Sequence, residues 1–164
     1  MSARRKLSAE TRLRVMRSIR KTNTRPEILV RRRLHRLGFR FRIHVRGLAG
    51  TPDIILPRYR TAIFVHGCFW HWHTCNLGRL PRHNLRYWRP KLKRNRARDA
   101  IDAARLVADG WNVIVLWECE LQTIEAVDAI LFRRLPRKMR AAVKAREGKA
   151  SPQSHTISRA VKKT

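Results

Sequence analysis

The sequence predicts an α/β protein with a mixed central sheet flanked by helices, on three observations. Residues 61–66 (TAIFVH) have the β-branched and aromatic content of a strand. Residues 111–117 (WNVIVLW) are apolar almost without a break, as in a strand covered on both faces. Segments of helical period stand before, between and after them, which is the layer logic of an α/β domain.

In chain order, residues 1–7 read as a disordered basic leader. Ser8 caps a first expected helix to about Lys21, with Leu13, Met16 and Ile19 as its apolar stripe. A second helix is better marked. Thr24 is its N-cap, Pro26 lies in the first turn, Glu27 stands three residues after the cap, and Gly38 ends it. The strict alternation of FRFRIHV predicts a half-buried strand over 39–45. Residues 53–56 form a short apolar strand, 57–60 a turn, and 61–66 its hairpin partner. The loop 67–86 has neither helical nor strand period, and a loop that long in a compact domain is functional or held by something other than packing. A helix follows over 88–109, with Gly110 at its C-cap, then the strand 111–117 and a last helix over 124–135. The domain is expected to span 8–135. From Pro136 onward nine Lys/Arg face one acid, Glu147, so 136–164 reads as a basic, disordered tail.

Charge restricts the partners. Lys and Arg number 39 against 11 Asp and Glu, a formal net charge of +28. Such an excess repels itself and calls for a polyanion, with nucleic acid first and a membrane surface second. No apolar run reaches the roughly 18 residues of a spanning helix, and no signal-peptide core follows the basic N-terminus, so a cytoplasmic, nucleoid-associated protein is expected. Between Glu27 and Asp99 the sole carboxylate is Asp53. An acid kept alone beside a strand in so basic a chain points to a task.

The densest chemistry lies in residues 68–75, CFWHWHTC, immediately after the strand 61–66 and Gly67. The three cysteines, Cys68, Cys75 and Cys119, are an odd number in a chain expected to be cytosolic, which argues against a disulfide framework. With one histidine they make a Cys₃His set, the donor count of a closed zinc site. Cys119 lies just past a strand able to run beside 62–66, and a zinc ion would pin a loop that has no core of its own. His71 and His73 are both within reach. The alternative leaves Cys119 an ordinary buried thiol and the loop cysteines free.

Pro52-Asp53 before one strand and Phe64-Val65-His66 on the next resemble the hairpin of metal-dependent nucleases. There a carboxylate faces a carboxylate and a lysine, and Mg²⁺ neutralises phosphate charge and activates water. Here Phe64 and His66 occupy the second acid and lysine positions. Taken together, Glu27, Pro52-Asp53, His66-Gly-Cys-Phe-Trp-His-x-His-x-Cys75, Trp88, Asn95-x₃-Asp99 and Trp117-Glu-Cys119 closely resemble the very-short-patch repair endonucleases. These are bacterial enzymes that nick one strand beside a T:G mismatch left by 5-methylcytosine deamination. The Phe64-x-His66 variant is that family's own.

The resemblance implies a restriction-endonuclease-like nuclease fold with a zinc-pinned loop, acting as a monomer on double-stranded DNA, with other repair proteins as further partners. It implies that Asp53 binds Mg²⁺ through its carboxylate and Val65 through its backbone carbonyl, where the family usually has Thr. It makes His71 the general base, His66 an electrostatic support, and Asn95 and Asp99 holders of water at the metal or of His71. His73 then joins Cys68, Cys75 and Cys119 on zinc. Glu27 is an active-site acid of the family, although Thr24 to Glu27 is also a capping box. Phe69, Trp70 and Trp88 are implied to intercalate, and a mismatch lowers the unstacking cost of such wedges. Trp72 stands where the family often has His. The alternatives are a nuclease of the same fold that cuts matched DNA, of restriction or mobile-element type, and a catalytically silent zinc-dependent DNA-binding protein.

Overall fold

In the computed structural model, which describes Thr11 and residues 22–147, Ile54–Leu56 (β1), Thr61–His66 (β2) and Asn112–Trp117 (β3) form one sheet in that order. β1 and β2 are an antiparallel hairpin that pairs Ile54 with Ile63 and Leu56 with Thr61. β2 and β3 run parallel, from Thr61 opposite Asn112 to His66 opposite Trp117. A parallel pair needs a long crossover, and the loop after β2 plus the 24-residue helix Leu85–Ala108 (α2) supplies it. The register has one consequence for everything below: Cys68 and Cys119, each two residues past its strand, leave the same edge of the sheet.

Before the sheet comes Arg25–Arg36 (α1), capped by Thr24 and Glu27. After it come Ile124–Arg134 (α3), capped by the Thr123 hydroxyl that accepts from the Ala126 N–H at 3.2 Å, and Arg137–Glu147 (α4). Alternation along the strands divides the core into two layers. Ile54, Leu56, Ile63, Ile114 and Leu116 pack against α1 through Val30 and Leu34, and against α3 through Val127, Ile130 and Leu131. Ile55, Ala62 and Phe64 point the other way, onto Leu106 of α2. Among the described residues no helix is long and apolar enough to cross a membrane.

The sequence expectations differ from the structure at several points. The expected helix over 8–21 and the leader over 1–7 lie outside the described residues, apart from Thr11. The expected strand over 39–45 reduces to a single bridge, with Arg42 and Ile55 exchanging two backbone hydrogen bonds of 2.8 Å. His44 at φ +52° turns the chain immediately afterwards, so no ladder propagates. Phe39 is nonetheless buried, edge-on to Tyr59.

The tail expected from 136 is ordered in its first part. Leu135, Met139 and Val143, spaced four apart, bury against the first core layer as α4 continues from α3. Seven basic residues in 133–146 mask this short stripe when charge is read before period. Residues 148–164 lie outside the described set. Trp111 and Trp117, at the ends of the strand expected to be covered on both faces, are only half-buried, and Trp117 turns toward the site.

Candidate active site and metal centre

At the shared edge of β2 and β3, Cys68, His73, Cys75 and Cys119 bring one donor atom each to within 4.8 Å of one another. Cys119 Sγ stands 3.5 Å from His73 Nδ1, and the Cys119 N–H donates to Cys68 Sγ at 3.4 Å. Tetrahedral zinc with Zn–S bonds near 2.3 Å sets its ligands roughly 3.7 Å apart, and donors within 4.8 Å of one another are close enough to hold a metal ion. The thiols point the same way. Burial pushes Cys68 up to about 12, and burial also raises Cys119. For Cys75 burial is outweighed by hydrogen bonds from His73, Cys68 and the backbone of Gly78 and Leu77, which bring it down to about 6. Three crowded thiols of which two resist ionisation are a donor set that a cation completes.

The scaffold around this quartet is built from both strand ends. Glu118 accepts the Cys68 N–H at 3.2 Å, tying the end of β2 to the end of β3. Arg134 of α3 donates to Glu120 at 2.6 Å and to the carbonyl of Val115, while Glu120 accepts the Trp117 N–H at 3.1 Å. These contacts brace Cys119 from both sides. Trp117 stacks on the His73 ring at 4.2 Å. Gly78 is required: a Cβ there would fall 1.9 Å from the carbonyl oxygen of His73.

Beside the quartet opens a cavity of about 1200 Å³, lined among others by Glu27, Asp53, Val65, His66, His71 and Asp99. Asp53 Oδ2 accepts the Val65 N–H at 2.7 Å, so the hairpin sets the acid and the Val65 peptide side by side. Burial raises Asp53 to about 6, and Glu27 adds to the rise against the Val65 hydrogen bond and the charges of Arg31 and His71. Among the described residues Asp53 forms no ion pair. A half-buried carboxylate of this kind suits a hard divalent cation.

His71 Nδ1 lies 2.5 Å from Asp99 Oδ2, and the His71 ring stacks on His66 at 3.7 Å, 6° from parallel. Burial, reinforced by the charge of His71 and opposed by Asp99, pushes His66 down to about 4, which leaves it neutral near neutral pH. Glu27 is only 3% exposed, and its oxygens are engaged. It accepts from the Thr24 hydroxyl at 2.7 Å, the Asn23 N–H at 2.9 Å and Arg31 at 2.8 Å. The bland capping role is therefore fully realised, on the wall of the cavity. Asn95 does not reach His71. Its amide donates to the Trp70 carbonyl at 3.0 Å and so holds the aromatic loop.

Phe69, Trp70 and Trp88 form one cluster, with centroids 5.0 Å (Phe69–Trp88), 5.2 Å (Phe69–Trp70) and 6.1 Å (Trp70–Trp88) apart. Sequence reading missed two of its members. Tyr87 packs on Trp88 at 5.0 Å, and the Lys91 ammonium sits 5.1 to 5.7 Å from the rings of Tyr87, Trp88 and Trp70. The i, i+4 spacing of Tyr87 and Lys91 was the available signal. Trp117 and Glu118 were legible only as neighbours of Cys119, since their contacts depend on the β2–β3 register.

A half-buried acid, a histidine paired with a second acid, and a strongly basic chain around the cavity have the chemistry of an enzyme that acts on a phosphodiester polyanion. Comparison with known proteins narrows this. A family model described as "DNA mismatch endonuclease Vsr" matches residues 5–77. The "Type II nicking enzyme V.XorIIP" of Xanthomonas oryzae pv. oryzae is 52% identical over 126 residues, covering 77% of this chain and 93% of its own. The "Type II nicking enzyme V.NmeAIP" of Neisseria meningitidis is 42% identical, covering 79% and 91%. The "DNA mismatch endonuclease Vsr" of Escherichia coli is 39% identical over 126 residues, covering 76% and 81%. The chain belongs to the very-short-patch repair endonuclease family.

Proposed function

We propose that this endonuclease nicks one strand of double-stranded DNA at T:G mismatches, using Mg²⁺ at Asp53 and a structural Zn²⁺ on Cys68, His73, Cys75 and Cys119, in the restriction-endonuclease-like fold of nucleases. The observation that carries the reading is the His71–Asp99 pair facing Asp53 across one cavity, while His73 belongs to the cysteines.

Mg²⁺ held by the Asp53 carboxylate and the Val65 carbonyl would neutralise phosphate charge and acidify bound water. The chain's own groups do the rest. Asp99 accepts the Nδ1–H of His71 and fixes the tautomer in which Nε2 is free to take a proton from the attacking water. His66, neutral through burial, supports that ring by stacking and adds no competing positive charge. Glu27 holds the start of α1 on the cavity wall and contributes negative charge near Asp53. The Phe69–Trp70–Trp88 cluster, held by Asn95 at the Trp70 carbonyl, is a wedge for a weakened base step. The Lys/Arg excess supplies phosphate contacts without sequence choice. Such an enzyme works as a monomer in the bacterial cytoplasm, at the nucleoid.

The test is purified protein, Mg²⁺ and a panel of duplexes carrying each mismatch beside a matched control. Selective nicking of the T:G duplex is expected. Equal nicking of matched DNA would select a nuclease of the same fold that cuts matched DNA, of restriction or mobile-element type. Binding with no nicking would select a silent DNA-binding protein.

A further inference from the structure

Of the five tryptophans, four have a partner for their ring. Trp70 and Trp88 face each other, Trp111 lies 5.4 Å from the Arg60 guanidinium, and Trp117 stacks on His73. Among the described residues the fifth, Trp72, has no ring contact, no cation over its face and no side-chain hydrogen bond. Trp72 is half-buried and lines the catalytic cavity, in the company of Asp53, His66 and His71. Its backbone lies at φ +48°, a region that bulky L residues avoid. Two backbone bonds maintain it, from the Trp72 N–H to the Phe69 carbonyl at 3.3 Å and from the His73 N–H to the Cys68 carbonyl at 2.9 Å. Strain kept at a functional site, under a large ring that has no stacking, cation or hydrogen-bond partner among the described residues, marks a group waiting for its contact.

We propose that Trp72 contacts the DNA substrate: its indole face takes a nucleobase of the strand that enters the catalytic cavity, apart from the Phe69–Trp70–Trp88 cluster. The inference rests on the endonuclease reading above and adds a contact to it. Arg96 and Arg98, exposed on the same cavity rim, attract the phosphates of that strand, which brings its bases to an apolar face. Because Trp72 directly follows His71, the base belongs to a nucleotide next to the phosphodiester to be cut. Aromatic faces accept any base by stacking, so the contact supplies affinity and placement without a sequence code.

Full-length Trp72→Gly and Trp72→Phe proteins test this. Glycine adopts positive φ freely, so Trp72→Gly removes the indole and keeps the turn that aims His71 and His73. Binding to a T:G duplex without divalent metal, melting temperature and zinc content are measured together. For Trp72→Gly the expected result is affinity lower by about 5–150-fold, with an unchanged salt slope, zinc content and melting temperature; Trp72→Phe recovers most of the affinity. A single abasic site is then walked along the duplex. The parent should lose affinity at one position where Trp72→Gly loses nothing further. If Trp72→Gly loses zinc, Trp72→Asn, which also tolerates positive φ, is put through the same walk. Parent-like binding by the variant, or abasic penalties equal in parent and variant at every position, overturns the proposal. Failure of the parent to prefer T:G over matched DNA would instead count against the mismatch reading, because the Trp72 comparison can be read on any duplex the parent binds.

Discussion

His71 and His73, one residue apart, serve two different sites: His71 Nδ1 is 2.5 Å from Asp99 Oδ2, and His73 Nδ1 is 3.5 Å from Cys119 Sγ. In extended chain, residues i and i+2 point the same way. Trp72 at φ +48° breaks that rule between them and sends one imidazole to the cavity and the other to the cysteines. The loop thus joins the cysteine cluster to the His71–Asp99 pair with a single residue between.

Separate roles predict separable losses. His71→Ala should reduce nicking by roughly 10²–10⁴-fold, the range for a general base, with zinc content unchanged. Asp99→Asn should also slow nicking, because an amide can present its N–H to Nδ1 and shift the proton to Nε2. Single-turnover rates on a T:G duplex check both. A wild-type rate in His71→Ala removes the base assignment.

His73→Ala, Cys75→Ala and Cys119→Ala should lose zinc, solubility and melting temperature together, since metal binding is part of the folding free energy. Metal analysis of the parent should give one zinc per chain. A fully active chain that holds well under one zinc contradicts the structural role.

Asp53 gives the pH dependence. With its carboxyl raised to about 6, the Mg²⁺-free protein gains stability from the bound proton at low pH. That gain is complete below about pH 4 and is lost as pH rises through about 6. Mg²⁺ needs the ionised form, so its apparent affinity should fall about tenfold per pH unit below pH 6. Thermal melts with and without Mg²⁺ at pH 5 and pH 8 check this: stabilisation should be larger at pH 8 and absent in Asp53→Asn. His66, depressed to about 4, contributes stability above about pH 6.5 that fades as pH falls toward 4. It does so in both proteins, so the comparison isolates Asp53.

The helix after Pro136 belongs to the core. Met139→Ala should destabilise by about 2–5 kcal/mol, whereas the exposed Arg137→Ala should stay within roughly 0.5 kcal/mol. Urea melts distinguish them. An unchanged midpoint for Met139→Ala would mean that α4 does not dock.

Recognition and affinity should also come apart. Trp70→Ala should narrow the preference for T:G over matched DNA, through lost stacking of about 1–3 kcal/mol, at an unchanged salt slope. Truncation after residue 147, which spares Met139 and Val143, should weaken binding to every duplex and reduce the slope by about 0.9 per lost phosphate contact. A salt titration on both duplexes reads both effects. If Trp70→Ala still discriminates fully, the cluster is not the mismatch reader.

The residues themselves determined the hairpin, the α2 crossover, the caps at Thr24 and Gly38, the polyanion partner and the identity of the chemical groups, because all of these follow from local period, turn residues and donor types. The tertiary structure decided what depends on register and direction. Spacing alone left His71 and His73 equivalent, and the turn at Trp72 together with parallel β2–β3 pairing separates them. Asn95 and Asp99 share a helix face, yet one goes to the Trp70 carbonyl and the other to the side chain of His71, because the loop that meets α2 offers a backbone group to the first and an imidazole to the second. Trp117 reads as core from its strand and becomes a stacking wall for His73, because it ends that strand at the open edge of the sheet. The 39–45 alternation fails as a strand because one positive φ at His44 ends its pairing. In each case the sequence names the group, and a contact between residues distant in the chain assigns its place.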